Sequence, residues 1–251
     1  MFLSNSLKSS ATAGYGQSSA AGKRSCFTDW PIRPSRNSTT TRSKRDDVPP
    51  MTTSTVFYVA DPMCSWCWGF REVLRQILEH LAQSIEVRYV MGGLAPDSDE
   101  PMSDETREYI QGAWRQVSAR TGAQFNWDFW TACQPRRSTY PACRAVLAAD
   151  AANGSGPAMF DRIQQAYYLE ARNPSDADTL LDLAGELGID REQFRNDLKS
   201  PQTESLLQED FRLQRELGCR AFPSVVLEND GERQYLTAGY DDFERIRARL
   251  Q

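Results

Sequence analysis

Two cysteines three residues apart, Cys64 and Cys67 in the stretch DPMCSWCWGF (61–70), are the residues of this chain best suited to covalent chemistry. A run of β-branched and aromatic residues precedes them and an amphipathic pattern follows, so the pair falls where a strand gives way to a helix. A thiolate at a helix N-terminus lies near unpaired backbone N–H groups and the positive end of the helix dipole. In such C-x-x-C motifs thiol pKa values of about 3.5 to 7.5 replace the ~8.5 of a free cysteine. Cys64, at the mouth of the helix, is therefore expected to be substantially ionised at neutral pH and to act as a nucleophile. Cys67, one turn further in, is expected to be less accessible and to resolve the resulting mixed disulfide.

Two other readings compete for the pair. A structural zinc site takes four ligands, yet none of Cys26, Cys133, Cys143 and Cys219 forms a second C-x-x-C. The only histidine, His80, sits far along the same helical pattern, where a surface role is expected. Two inert buried thiols are the third reading, since cysteine is often buried. The strand-to-helix setting argues against it, because sites in α/β folds gather at the carboxyl ends of strands. The redox reading implies neither a metal nor a nucleotide.

The elements that must hold the pair are legible around it. TVFYVA (55–60) is continuously apolar, as expected of a strand covered on both faces. Phe70, Val73, Leu74, Ile77, Leu78 and Leu81 then draw one stripe along a helix. IEVRYVM (85–91) alternates like a strand with one wet face, and Gly92-Gly93 stops it. This is a βαβ unit with an expected right-handed crossover. Near the other end, PSVVLE (223–228), an Asn-Asp-Gly turn (229–231) and RQYLTAG (233–239) read as a hairpin, followed by a closing helix in DFERIRARL (242–250). Between the halves, helices are predicted near 103–120, 139–152, 157–171, 176–187, 191–199 and 202–217. The fold class is α/β, with one sheet built from βαβ and ββα halves and interrupted by an all-helical insertion. The expected division is a sheet domain from 53–95 and 211–251, and a helical insertion from 96–210.

Composition bounds the function. Six scattered cysteines in 251 residues do not form the dense framework of a small secreted domain. No stretch approaches the ~18 apolar residues of a membrane span, and MFLSNSLKSS lacks the apolar core of a secretory signal. Residues 1–50 hold eight Lys/Arg against three Asp/Glu, whereas the remainder holds 21 against 31. That acidic body gives no electrostatic case for nucleic acid. The first fifty residues also carry fifteen Ser/Thr, so residues 1–52 are expected to form a disordered basic extension. A cytoplasmic location is expected, or an organellar one if the extension acts as a transit peptide.

A second feature is CRAFPSVVL (219–227), where Pro223 opens a strand despite its missing N–H. Only ~5–6% of X-Pro bonds are cis, so residue types alone make trans the default for Phe222-Pro223. The strand, the CSWC helix, the helical insert, LGCRAFPSVVL and the closing hairpin together resemble the thioredoxin superfamily in its DsbA-like branch. The resemblance spans about 55–251 and is nearest to FrnE-like cytosolic DsbA-family oxidoreductases, relatives of 2-hydroxychromene-2-carboxylate isomerases and kappa-class glutathione transferases. It implies a thioredoxin fold, Cys64 as attacking and Cys67 as resolving cysteine, and Pro223 as a cis-proline opposite them. The Phe222 backbone would hold an extended substrate, with Ser65, Trp66 and Trp68 at the rim.

The activity so implied is thiol-disulfide exchange that reduces, forms or isomerises disulfides in proteins or small molecules. No cofactor is required; glutathione is a candidate co-substrate and a homodimer a candidate assembly, with no nucleic-acid or membrane partner. Ser-Trp replaces the Pro-His of strongly oxidising relatives, which implies a milder potential, and Ala221 stands where glycine commonly precedes the X-Pro pair. A glutathione-dependent isomerase or transferase, with the protein's own thiols as spectators, is the enzymatic alternative, and a peptide-binding chaperone is the other. Isomerase-type relatives generally lack the second motif cysteine. Within the insert, Arg136 and Arg137 are candidates for binding a carboxylate such as that of glutathione, and Ser138 or Thr139 for capping the next helix while facing the site. Cys133 and Cys143 are a candidate second redox couple, whereas Cys143 and Cys219 also fit as packed thiols.

Overall fold

In this computed structural model, which describes residues 54–81 and 85–250, the run TVFYVA forms β1 (Thr55–Ala60), an inner strand of a four-stranded sheet. The basic extension expected over residues 1–52 lies outside the described residues. Alternate side chains leave β1 on opposite faces. Val56, Tyr58 and Ala60 join the main core with α1 (Ser65–His80), while Phe57 and Val59 join a second cluster with Leu217, Cys219 and Val226. Two buried faces explain why the run is apolar without interruption.

β2 (Glu86–Met91) pairs parallel to β1, and β3 (Ser224–Asn229) pairs antiparallel to its other edge. β4 (Glu232–Ala238) completes the order β2-β1-β3-β4. Glu86 and Arg88 give β2 the expected wet face. Asn229 pairs with Glu232, so Asp230 and Gly231 form a two-residue turn. Both have the positive φ, 50° and 84°, that a type I′ turn requires. After β2, Gly92 answers a steric demand: a Cβ there would come within 2.4 Å of the Phe222 ring.

Between β2 and β3 lie α2 (Asp104–Thr121), α3 (Phe129–Ala132), α4 (Tyr140–Asn153), α5 (Gly156–Leu169), α6 (Ala177–Glu186), α7 (Arg191–Leu198) and α8 (Pro201–Glu216). Six of them lie within two residues of the helices predicted from periodicity. α3 escaped prediction because a single turn has no period to read. α4 runs through the core on its small residues, Ala142, Ala145, Ala148 and Ala149, all buried. A second core gathers around the fully buried Trp114 of α2, where rings of Phe125, Phe129, Trp130, Tyr167 and Tyr168 lie 4.9–5.8 Å from it. The closing helix α9 (Phe243–Arg247) is shorter than expected, because Arg249 turns back to the Leu236 carbonyl and the Asp241 carboxylate.

α8 is tied to the sheet by a buried carboxylate. Asp210 is 4% exposed and accepts the Met91 N–H at 2.8 Å, with Arg88 3.6 Å away. Burial outweighs these partners and pushes its pKa up to about 6. A carboxylate raised in the folded state contributes full stability below its unfolded pKa and loses it as pH rises through the folded value. Asp210→Asn keeps an acceptor for Met91 without the charge. Its stability relative to the parent should therefore rise between pH 4 and pH 7, by up to about 3 kcal/mol at ~1.36 kcal/mol per unit. Denaturant unfolding of both proteins across that range checks this, and a difference that stays flat with pH would refute it.

Candidate active site

Cys64 is the N-cap of α1, with extended backbone angles (φ −82°, ψ 116°). Its N–H donates to the Asp61 carbonyl and its carbonyl accepts from Trp68 N–H, both at 3.0 Å. Its Sγ accepts the Cys67 N–H at 3.3 Å. The sulfur thus occupies the place that a serine or aspartate oxygen takes at an ordinary helix start, facing backbone donors that have no partner inside the helix. Across the gap, the Phe222 carbonyl lies 3.9 Å from Cys64 Sγ.

Cys64 is 6% exposed and Cys67 0%. Cys64 is the more exposed of the two, yet the mouth is narrower than a strand end alone suggested, because the loop carrying Phe222 comes over it. Burial first, and then the adjacent Cys64 sulfur, hold the Cys67 thiol well above its ordinary pKa. Cys67 is therefore a protonated thiol at neutral pH.

The turn before the pair is organised by Asp61, which is fully buried. Its Oδ1 accepts Met63 N–H at 2.8 Å, and its Oδ2 accepts Leu94 N–H at 2.8 Å and the Thr139 hydroxyl at 2.7 Å. The Cys143 thiol reaches the same oxygen at 3.6 Å. One carboxylate thus joins the end of β1, the segment after β2 and the start of α4. Burial raises its pKa against the opposing pull of these donors.

Beside Cys64 opens a cavity of about 810 Å³ whose lining includes Trp66, Phe222, Tyr240, Arg120 and Arg245. Trp66 and Tyr240 lie 5.6 Å apart at the ring centroids, and the Arg120 guanidinium stands 5.3 Å from the Tyr240 ring while pairing with Asp242. The floor is aromatic and the rim charged, a combination that suits an extended peptide-like molecule.

The structure brings together Cys64, Cys67, Trp66, Phe222 and Pro223, with Ser65 as the first residue of α1. The Phe222-Pro223 bond is cis, as the family resemblance implied and against the trans default. Local preference gives way to tertiary bonding: the Pro223 carbonyl accepts Gly239 N–H at 2.7 Å and Ser224 pairs with Val59. Trp68 is not a rim residue. It is 7% exposed, donates to the Gln124 carbonyl at 2.9 Å and stacks on Tyr168 at 5.3 Å.

The basic turn divides. Arg136 is engaged with Asp176 at 2.6 Å and with the Ser175 carbonyl, so it does not stand free to hold a carboxylate. Arg137 is exposed, on the side of Tyr167. Ser138 and Thr139 are buried and neither side chain caps α4. Ser138 accepts from Ser98 N–H, while Thr139 supports the site through Asp61. Cys133, Cys143 and Cys219 are unpaired thiols, the first hydrogen-bonded to the Ala171 carbonyl and the last to that of Leu217. Sequence reasoning missed Asp61, whose only signal was its place three residues before Cys64, and Tyr240, which no local pattern marks.

The family model described as Thioredoxin matches residues 57–247. A protein of Nitrosomonas europaea, provisionally described as a protein disulfide isomerase, superposes with a TM-score of 0.70 at 28% identity, over 79% of this chain and 96% of that one. The cytosolic disulfide reductase DsbM of Pseudomonas aeruginosa superposes with a TM-score of 0.65 at 30% identity, over 78% of this chain and 96% of its own, and has also been solved with GSH. The ClpXP adapter protein SpxH of Bacillus subtilis is 24% identical over 199 residues, which are 76% of this chain and 65% of that protein's length. With a cysteine pair at the start of the helix that follows β1 and a helical insertion between the two halves of the sheet, the chain belongs to the thioredoxin family, among folds of the DsbA-like type.

Proposed function

We propose that this protein is a thiol-disulfide oxidoreductase that uses Cys64 and Cys67 as its exchange pair. The observation that carries the reading is the position of Cys64 Sγ, 3.3 Å from the Cys67 N–H at the start of α1 and 3.9 Å from the Phe222 carbonyl. Cys64 attacks one sulfur of a bound disulfide, expelling the other as a thiol and leaving a mixed disulfide. Cys67 then loses its proton and attacks Cys64 Sγ. The bond from Cys64 to the substrate breaks, the second substrate thiol leaves, and the Cys64–Cys67 disulfide remains for a reductant to restore. The low accessibility of Cys67 reserves it for the second step.

The aromatic-floored cavity is the proposed substrate groove, with the main chain of Phe222 and Pro223 aligning an extended segment. Glutathione is the proposed small partner, supported by the solved GSH form of the 30%-identical DsbM. That protein's description as a cytosolic disulfide reductase also supports a reductase-type direction and a cytoplasmic location here. Among the described residues no helix is long and apolar enough to cross a membrane. The resolving thiol lies within one turn of Cys64 with its N–H bonded to that sulfur, which favours exchange over a reaction in which both protein thiols are spectators.

Three measurements test this reading. Iodoacetamide at neutral pH should label Cys64 ahead of the other described cysteines, Cys64→Ser should abolish disulfide turnover, and Cys67→Ser should accumulate one glutathionyl group on Cys64 by intact mass; full turnover without Cys64 would sink the proposal. Equilibration with glutathione buffers should give a potential below about −180 mV, and a value near about −120 mV would mean a strong oxidant instead. Trp66→Ala should raise the KM for glutathione disulfide roughly tenfold, ~1.4 kcal/mol of binding, with kcat changed far less. An unaltered KM would remove Trp66 from the groove.

A further inference from the structure

Beneath the cysteine pair lies a layer of polar side chains that the exchange chemistry leaves unexplained. Tyr58 on β1 is 1% exposed, and Gln164 and Tyr168 on α5 are fully buried. Both tyrosine hydroxyls and both ends of the Gln164 carboxamide have no hydrogen-bond partner among the described residues. Folded interiors leave few polar atoms in this condition, and a redox or catalytic role is among the reasons they persist.

Their placement is specific. The Tyr168 ring stacks on Trp68, next in the chain to Cys67, at 5.3 Å. The Tyr58 ring stacks on Phe70, one turn on, at 6.3 Å. The segment of α1 that carries Cys67 is therefore bracketed by two rings whose hydroxyls are unspent. Gln164 sits one helical turn from Tyr168 on α5, and Phe160, one turn earlier, meets Tyr58 edge-on at 5.9 Å. Past Tyr58, Tyr89 lies 5.2 Å away ring to ring. Asp161, next to Phe160, pairs with Arg71 at 3.8 Å, and its side chain is 37% exposed.

Cys67 poses the problem that this layer fits. Its thiol is sealed from solvent and held protonated, yet it must lose its proton to resolve the mixed disulfide. We propose that Tyr58, together with Gln164 and Tyr168 of α5, forms a polar path that carries the Cys67 proton toward Asp161 and solvent during resolution. The inference rests on the oxidoreductase reading above. In the step, the Cys67 S–H proton passes into the path as its sulfur forms a bond to Cys64 Sγ. The bond between Cys64 and the substrate breaks, and the departing sulfur takes up a proton from water, so no further reactant is needed. A phenol serves such a path because it accepts at its oxygen while donating its own hydrogen.

The groups bearing on Tyr58 are Cys67 and Cys64 from the α1 side, Tyr89 from β2 and Asp161 from α5. Burial raises the Tyr58 hydroxyl well above the ordinary phenol pKa, and charge on Cys67 is the next largest influence. Tyr58 thus stays a neutral phenol throughout the working range and passes a proton without itself ionising.

An aromatic disulfide that releases a coloured thiol separates the two steps by stopped flow. The first equivalent appears at a rate proportional to reagent and reports attack by Cys64; the second appears at a reagent-independent rate and reports resolution by Cys67. Tyr58→Phe removes one hydroxyl and keeps the ring. Its second phase should be slowed about tenfold or more at neutral pH, within the range for a lost proton-transfer group. The deficit should shrink as pH rises and solvent base takes over. The first phase should follow the parent. Tyr168→Phe, measured in parallel, should show a smaller slowing of the same phase and carries the test if Tyr58→Phe does not fold. Second phases that match the parent at every pH in both variants would overturn the path while leaving the exchange pair intact. A parent that releases no second equivalent would overturn the oxidoreductase reading and the path together.

Discussion

The hydrogen bond from the Cys67 amide to the Cys64 sulfur is the contact on which the site depends. It exists because a helix begins at Ser65, and the first turn of any helix leaves N–H groups without internal partners. Here sulfur rather than oxygen takes the cap position. The same turn sets the asymmetry of the pair, because the cap lies at the edge of the fold and the residue three further on points into it. Cys67 at 0% exposure and Cys64 at 6% stand one helical turn apart.

That helix start has to be held, and Asp61 holds it. Its carboxylate takes N–H groups from the turn itself and from the segment after β2, and a hydroxyl from α4. The helical insertion is thereby bonded to the floor of the site through Thr139, so the insertion contributes to the geometry of the cysteines as well as to the groove. Gly92 makes the complementary allowance: with no Cβ, it lets the Phe222 ring settle over it, and the Phe222 carbonyl comes to face Cys64. A buried acid on one side and a missing side chain on the other fix the width of the mouth.

Much of this was legible before any coordinates. Helix periods placed α2 and α4–α8 within two residues, because each is long enough to show its apolar stripe. The cysteine pair's place at a strand-to-helix junction followed from the apolar run before it and the helical stripe after it. Residues that act through distant contacts were not legible. Arg136 read as a free cation and is tied to Asp176, while Trp68 read as a rim residue and is committed to Gln124 and Tyr168. In both cases the partner lies forty or more residues away, beyond any local pattern.

By itself the sequence determined the local architecture of this protein: the paired cysteines, where the helix behind them begins, and which runs are apolar enough to form an inner strand. These are decided within a few residues of chain, by side-chain type and backbone preference. Tertiary structure alone decided that Phe222 faces Cys64 across a cis peptide, that Asp61 collects donors from three segments, and that two tyrosine hydroxyls lie unpaired beneath the thiols. Each of these requires chain separated by tens of residues to meet at one point, and only the packing of the sheet against the insertion specifies where that point is.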